Sequence, residues 1–162
     1  MNGSVATGNR RPEKVVSGGQ TGVDRAALDA AIELGIPHGG WCPAGRRAED
    51  GTIPVRYQLR ETESADYSVR TERNVVDSDA TLILYRGTLS GGTELTWRLA
   101  QSHGKPCLLV DLDGDPSVRR VREWLGRVRP AVLNVAGPRE SQNPGIGDRS
   151  RRFLVHLLGS PG

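Results

Sequence analysis

The sequence is poor in cysteine, in aromatic residues and in lysine. Among its 162 residues there are two cysteines and 4% aromatic residues, and only Lys14 and Lys105 are lysine. Two cysteines, Cys42 and Cys107, are too few for the disulfide framework of a small secreted protein, so we expect a cytoplasmic protein. No apolar stretch is long enough for a membrane span or resembles a signal segment, and we therefore expect no membrane partner.

Arginine supplies nearly all of the positive charge. The other 20 of the 22 basic residues are arginine, and the formal net charge is +3. A guanidinium group makes paired hydrogen bonds to phosphate and carboxylate oxygens, which favours a phosphorylated small molecule as the partner. Nucleic acid is a poorer candidate, because aromatic residues are scarce and the basic residues alternate with acidic ones instead of forming one run.

Several catalytic signatures are missing. The glycine-rich segment 17–22 has no Lys-Ser or Lys-Thr pair after its last glycine, so ATP hydrolysis by a Walker A loop is not expected. The same segment lacks the glycine spacing of dinucleotide-binding loops, which disfavours hydride transfer. The histidines His38, His103 and His156 do not have metal-ligand spacing, and we expect no metal held by the protein.

Strands and helices alternate along the chain, as in a parallel α/β sheet. The patterns predict strands at 13–17, 80–85, 107–110 and 131–135, weaker strands at 38–42 and 59–62, and helices at 23–34, at 67–77, up to residue 102, from 116 onward and at the C-terminus. The segment 43–55 is predicted to be a loop. We therefore expect one Rossmann-like domain over 13–158, a mostly parallel sheet with helices on both faces, and flexible tails at 1–12 and 159–162.

Three of the predicted strands, 13–17, 80–85 and 131–135, run directly into segments rich in glycine, serine and threonine. Such loops lie along one edge of a parallel sheet, which is where ligands bind in these folds. Helix N-termini that follow them favour an anion. The alternative is that the glycines only allow the chain to turn. On the binding hypothesis the site consists of loop residues, with four polar residues from 43–55 and 67–77, namely Gly18, Gly19, Gln20, Thr21, Gly22, Arg25, Arg46, Arg47, Arg70, Asn74, Thr88, Ser90, Gly91, Gly92, Thr93, Glu94, Asn134, Gly137, Arg139 and Ser141.

Some residues near these loops allow two interpretations. Asp24 and Glu94 fall in first turns of helices, where a carboxylate either stabilises the helix or contacts a polar group of the ligand. Arg46 and Arg47 belong either to a solvated charge cluster or to a lid, 46–50, that becomes ordered only on binding because little would hold it otherwise. Gly92 is needed either for a positive φ or for the approach of a phosphate to the backbone.

Five segments together resemble the molybdenum cofactor carrier family, a branch of the nucleotide-binding superfamily that includes the LOG proteins. They are SGGQTGVDR at 17–25, GWCPAGRRAEDG at 40–51, RTERNV at 70–75, GGTELT at 91–96 and NVAGPRES at 134–141. The resemblance covers about 14–158 and implies a Rossmann-like fold, a homo-oligomer (dimer or tetramer) and glycine loops that bind a phosphate-bearing pterin or nucleotide. It implies a carrier for the molybdenum cofactor, molybdopterin or a similar phosphorylated cofactor.

The related LOG enzymes cleave nucleoside monophosphates and carry a Pro-Gly-Gly-x-Gly-Thr-x-x-Glu motif with a catalytic glutamate. Here Ser90 takes the place of the proline, and the residues after Gly92 supply neither the later glycine nor a glutamate in register. This departure favours a carrier over an enzyme and leaves the catalytic residue unknown. The alternatives are a nucleotide-processing enzyme that cleaves an N-glycosidic bond, and a protein that senses nucleotides.

Overall fold

The computed structural model describes residues 11–159. The predicted flexible tails, 1–12 and 159–162, lie largely outside this range. Within it, Arg11 is part of the domain, because its Nη1 donates a hydrogen bond to the backbone oxygen of Leu158 (3.1 Å).

The described part of the chain contains nine strands, most of them short, and five α-helices. They are β1 (Lys14–Val16), α1 (Val23–Leu34), β2 (His38–Gly39), β3 (Trp41–Cys42), β4 (Arg47–Ala48), β5 (Gly51–Thr52), β6 (Arg60–Glu61), α2 (Tyr67–Asp77), β7 (Ala80–Tyr85), α3 (Gly91–Ser102), β8 (Cys107–Asp111), α4 (Val118–Val128), β9 (Val132–Ala136) and α5 (Ile146–Leu158). The helices predicted at 23–34 and 67–77 begin and end where the sequence pattern places them.

The main sheet has five strands in the order β2-β1-β9-β7-β8. Every neighbouring pair in it is parallel, with Val15 opposite Leu133 and Leu82 opposite Val135 in the centre. Parallel neighbours need crossover connections, and the longer helices of the chain supply them. The predicted Rossmann-like α/β fold is therefore confirmed.

The helices divide between the two faces of the sheet because the chain crosses in opposite directions from the centre. From β1 it moves to β2 at one edge, and from β7 it moves to β8 at the other. Right-handed crossovers then require α1 and α3 to lie on opposite faces. The contacts agree, since α1 and α4 each pack against α5, whereas α3 packs against α2. The loops after β1 and β7 diverge on either side of β9, which opens a crevice at the carboxyl edge.

The strand β7 anchors this arrangement in the core. Its residues Ala80, Leu82, Ile83 and Leu84 are fully buried, as expected for a strand covered on both faces. Each leucine contributes about 1.5–3 kcal/mol by leaving water. The loops at the carboxyl edge are therefore attached to a rigid base.

The segment 43–62 is more regular than the loop predicted for 43–55. The strands β4 and β5 pair as an antiparallel hairpin, and β3 pairs with β6 in parallel. An apolar cluster of Leu28, Cys42, Ile53 and Tyr57 joins the segment to α1. The weak strands predicted at 38–42 and 59–62 contain β2, β3 and β6. The strands β4 and β5 have two residues each and lack an alternation of apolar and polar residues that could reveal them.

Arg46 fastens this segment from within. Its guanidinium donates hydrogen bonds to the backbone oxygens of Pro54 (2.8 Å), Tyr57 (2.9 Å) and Ile53 (3.2 Å). The lid hypothesis assumed that little would hold 46–50 in place. That assumption is wrong, because Arg46, the hairpin and the apolar cluster all fix the segment to the domain.

Arg46→Lys is expected to lower the free energy of unfolding by about 1–2 kcal/mol. Lysine keeps the positive charge, but one ammonium group cannot reach three carbonyl oxygens as the planar guanidinium does. Arg47→Lys is the matched control, because Arg47 is exposed. Urea unfolding measures both variants, and equal stability of the two would contradict the role assigned to Arg46.

Candidate functional site

A crevice of about 150 Å³ opens at the carboxyl edge of the main sheet, between the loops after β1 and β9 and the helices α2 and α3. The structure brings nine of the sequence-predicted site residues together in its lining, namely Gly18, Gln20, Arg70, Asn74, Gly92, Thr93, Asn134, Gly137 and Arg139. All three predicted glycine-rich segments are represented among them. The glycine-rich segment after β7 contributes only Gly92 and Thr93 to this set, at the start of α3.

A buried ion pair forms part of the crevice wall. Arg70 of α2 donates from Nη1 to Oδ2 of Asp24 in the first turn of α1 (3.0 Å), and the side chains are 11% and 8% exposed. Gly18 makes room for the pair, because a Cβ at that position would lie 1.4 Å from Arg70 Nη1. The first loop therefore needs this glycine for a side chain of the protein itself.

The carboxyl group of Asp24 is under two opposing influences. Burial raises its pKa, and the Arg70 guanidinium lowers it by a smaller amount. Oδ2 accepts from Arg70 and, more weakly, from the backbone N–H of Gln20 (3.4 Å). No donor from the described residues reaches Oδ1, and this oxygen is not fully buried.

Arg70 itself has unused donors. Within residues 11–159, neither its Nε nor its Nη2 has a hydrogen-bond acceptor, and Nε is buried. The Tyr67 ring centre lies 5.6 Å from the guanidinium carbon. Nη2 is the unpaired nitrogen that is not fully buried, so an anion oxygen in the crevice can accept a charge-assisted hydrogen bond from it.

The start of α3 presents backbone to the crevice. The side chain of Ser90 makes no capping hydrogen bond, and the first N–H groups of a helix have no partner within the helix. The positive φ falls on Gly91 (52°), whereas φ of Gly92 is outside that region and a Cβ on Gly92 would meet nothing within 4 Å. The conformational explanation for Gly92 is wrong, and access to the backbone is the interpretation that fits.

The third loop forms the opposite wall. Asn134 donates from Nδ2 to Oγ1 of Thr81 (3.2 Å). Gly137 cannot carry a side chain, because a Cβ would lie 2.2 Å from the backbone oxygen of Leu84. Arg139 lines the crevice with its side chain half exposed, and it therefore adds a second guanidinium to the lining.

Asn74 lines the crevice, but its amide group is occupied. Its Oδ1 accepts from the backbone N–H of Trp41 (2.8 Å), and its Nδ2 donates to the backbone oxygen of Trp41 (2.9 Å). Because this amide pairs with β3 as a neighbouring strand would, Asn74 positions α2 against the segment 43–62.

The other predicted residues do not line the crevice. Arg25 donates to the backbone oxygen of Gly19 (3.1 Å) and to Asp50 (2.6 Å), and Glu94 pairs with Arg98 (3.1 Å). The full set outside the lining is Gly19, Thr21, Gly22, Arg25, Arg46, Arg47, Thr88, Ser90, Gly91, Glu94 and Ser141. Tyr67, Ser68 and Gln142 also line the crevice and were not predicted from the sequence. For Tyr67 and Ser68, a single crevice-facing side of α2 was the available signal.

Glu49 links the loops that surround the crevice. Its carboxylate accepts from the hydroxyl of Thr21 in the first loop and from Ser141 in the third, through Oγ (2.5 Å) and the backbone N–H (3.1 Å). Arg139 Nε lies 3.4 Å from Oε1. The hydrogen bonds from Ser141 and Thr21 lower the pKa of Glu49. The carboxylate of Glu49 thus has a structural role between the first and third loops.

Glu49→Gln is expected to lower the free energy of unfolding by about 1 kcal/mol at pH 7, because hydrogen bonds to a charged acceptor are the stronger ones. The folded-state pKa of Glu49 lies below its ordinary value of 4.5, so the stabilisation is complete above that pH and disappears as pH falls through the folded value. Urea unfolding between pH 7 and pH 3 tests this.

Glu123→Gln is the control for this comparison, because its ion pair with Arg119 is exposed and such pairs contribute about 0–1 kcal/mol. A Glu49→Gln effect of the same size at pH 7 and at pH 3 would contradict the proposed role of the carboxylate.

Three other features describe the chemistry of the domain. Among residues 11–159 there is no cluster of histidine, cysteine, aspartate and glutamate that could hold a metal ion, and no helix of that range has the length and apolarity to cross a bilayer. Cys42 and Cys107 are free, and burial raises the pKa of Cys107 to about 11. A thiol of that pKa is a weak nucleophile near neutral pH.

Comparison with known proteins gives one family and one solved structure to report. The model of the circularly permutated YpsA SLOG family matches residues 15–158. A crystal structure from Syntrophus aciditrophicus SB, named "putative molybdenum carrier protein", is 46% identical, with a TM-score of 0.87. The similarity covers 92% of this chain and 96% of that one. No curated protein sequence matches. With the family model spanning nearly the whole domain, the chain belongs to the circularly permutated YpsA SLOG family.

Proposed function

We propose that this protein binds and carries an anionic, phosphorylated cofactor of the molybdopterin type in the crevice at the carboxyl edge of the sheet. The observation that carries the proposal is Arg70, a guanidinium held in the wall by Asp24, whose Nη2 is not fully buried and has no acceptor among the described residues. The relative named as a molybdenum carrier supports the class of ligand.

The charges of the lining favour an anion. Arg70 and Arg139 supply two positive charges, and Asp24 supplies the single negative one. The N-terminal end of α3 adds the positive end of the helix dipole at Gly92, whose backbone N–H has no acceptor among the described residues and can contact a phosphate. We place the phosphate of the ligand there.

The residues fit the organic part of such a cofactor. The crevice offers guanidinium and backbone N–H donors for phosphate oxygens, and a carboxylate acceptor at Asp24 for the amino group of a pterin or base. The donor set in residues 11–159 contains no cluster suited to a metal. We therefore infer that the protein recognises the ligand by its phosphate and its ring. Any molybdenum is bound by the ligand and is transported as cargo.

The alternative is a hydrolase that cleaves an N-glycosidic bond of a nucleotide. The carboxyl group in the lining is that of Asp24, which is paired with Arg70, and Glu94 is paired with Arg98 outside the lining. These pairings favour the carrier. We also propose a cytoplasmic setting, which the two free cysteines support; the homo-oligomer stays a prediction from the resemblance.

Gly92→Ala and Gly92→Val test the placement of the phosphate. Alanine is expected to leave the free energy of unfolding within about 1 kcal/mol of the parent, because Gly92 is helical and its Cβ position is open. Valine is expected to fold as well but to weaken binding of molybdopterin at least tenfold, since its methyl groups occupy the space in front of the N–H groups. Thermal melting and equilibrium binding measure the two effects.

The same binding assay separates the carrier from the hydrolase. The protein is incubated with molybdopterin and, separately, with purine and pyrimidine nucleoside monophosphates, and bound ligand and free base are measured. We expect ligand to be recovered intact. Steady release of free base would establish the hydrolase, and a Gly92→Val variant that binds molybdopterin like the parent would remove α3 from the site.

A further inference from the structure

The carboxylate of Asp24 needs an explanation in a crevice that binds an anion. Its side chain is 8% exposed, and both of its hydrogen bonds fall on Oδ2. A carboxylate oxygen repels phosphate, so Oδ1 must face a part of the ligand that donates hydrogen bonds. The phosphate end and the Asp24 end of the crevice therefore recognise different parts of one molecule.

Several side-chain donors near Asp24 are already in use. Thr96 donates to the backbone oxygen of Gly92 (2.9 Å), Thr71 donates to that of Tyr67 (2.8 Å), and Asn74 is paired on both sides with β3. Oδ1 of Asp24 is the charged acceptor of the lining that no described donor reaches, and a carboxylate oxygen favours a ring edge that donates.

Ring edges differ in what they offer to a carboxylate. Guanine and pterin each have a ring N–H beside an exocyclic amino group, and these two donors point in the same direction. Adenine has an amino group beside an unprotonated ring nitrogen, which repels a carboxylate oxygen. Hypoxanthine has the ring N–H without the amino group, and xanthine has a carbonyl oxygen in its place.

We propose that Asp24 is the residue that selects the ring, and that it selects ligands with a 2-amino-4-oxopyrimidine edge, as in pterins and guanine, over adenine. The inference rests on the proposed function, since it assigns the ring of that ligand to the Asp24 end of the crevice. Arg70 positions the carboxylate through Nη1, because its bond to Oδ2 leaves Oδ1 for the ring edge, while Nη2 stays available to the phosphate.

Selectivity of the unaltered protein tests the inference without any substitution. Neopterin monophosphate and the 5′-monophosphates of guanosine, inosine, xanthosine and adenosine are titrated by calorimetry. We expect neopterin monophosphate and the guanosine compound to bind at least tenfold more tightly than the adenosine compound, with the inosine compound between them.

Asp24→Asn reverses the hydrogen-bond pattern, because an amide N–H₂ can donate where the carboxylate could only accept. We expect this variant to lose at least tenfold in affinity for the guanosine compound and to gain relative affinity for the xanthosine compound. Glu72→Gln is the control, since Glu72 is on the same helix as Arg70 but pairs with His103 and does not line the crevice; its affinities should match the parent. The Asp24→Asn protein is assayed at reduced temperature, because this substitution leaves Arg70 without its counter-charge.

The outcomes separate the inference from the proposed function. Equal affinity of the parent for all five compounds would overturn the selection by Asp24 while leaving an anion-binding crevice. Tighter binding of the adenosine compound, or no binding of either 2-amino compound while molybdopterin still binds, would also overturn it. Failure of molybdopterin and of all five compounds to bind would contradict the proposed function itself.

Discussion

The buried ion pair between Arg70 and Asp24 is the interaction on which the crevice depends. Asp24 is in the first turn of α1, which packs with α5 on one face of the sheet, and Arg70 belongs to α2, which packs with α3 on the other. The pair therefore spans the carboxyl edge of the sheet and joins its two helical layers. Removing one partner of such a pair leaves a buried charge, at a cost of about 3–5 kcal/mol. The structure and the chemistry of the site are thus coupled through one guanidinium.

The sequence predicts the main sheet well because its central elements have clear periodicity. Leu82, Ile83 and Leu84 form a continuous apolar run, and the 3.6-residue spacing of apolar positions in 23–34 is that of an amphipathic helix. Most of the segment 43–62 could not be predicted in the same way, although the weak strand predicted at 59–62 contains β6. Its strands have two residues each, and its order comes from contacts across the chain, such as those of Arg46 with Tyr57 and Ile53.

The candidate site is predictable in location but not in detail. Parallel topology alone brings the loops after β1, β7 and β9 to one edge, and Gly18, Gly92 and Gly137 all line the crevice there. The roles of these glycines differ, which sequence cannot show: Gly18 gives space to Arg70, Gly137 allows close packing on β7, and only Gly92 is open. The pairing of residues 24 and 70, 46 positions apart in the chain, likewise depends on the folded structure.

The central claim is that a phosphorylated ring compound occupies this crevice rather than another groove of the domain. Backbone amide resonances of ¹⁵N-labelled protein, followed during titration with neopterin monophosphate, test it most directly. The account predicts the largest shifts at Gly18, Gly92 and Gly137, which line the crevice, and little change at Gly114, which lines a separate groove between β8 and α4. Shifts centred on Gly114 with no change at Gly92 would contradict it.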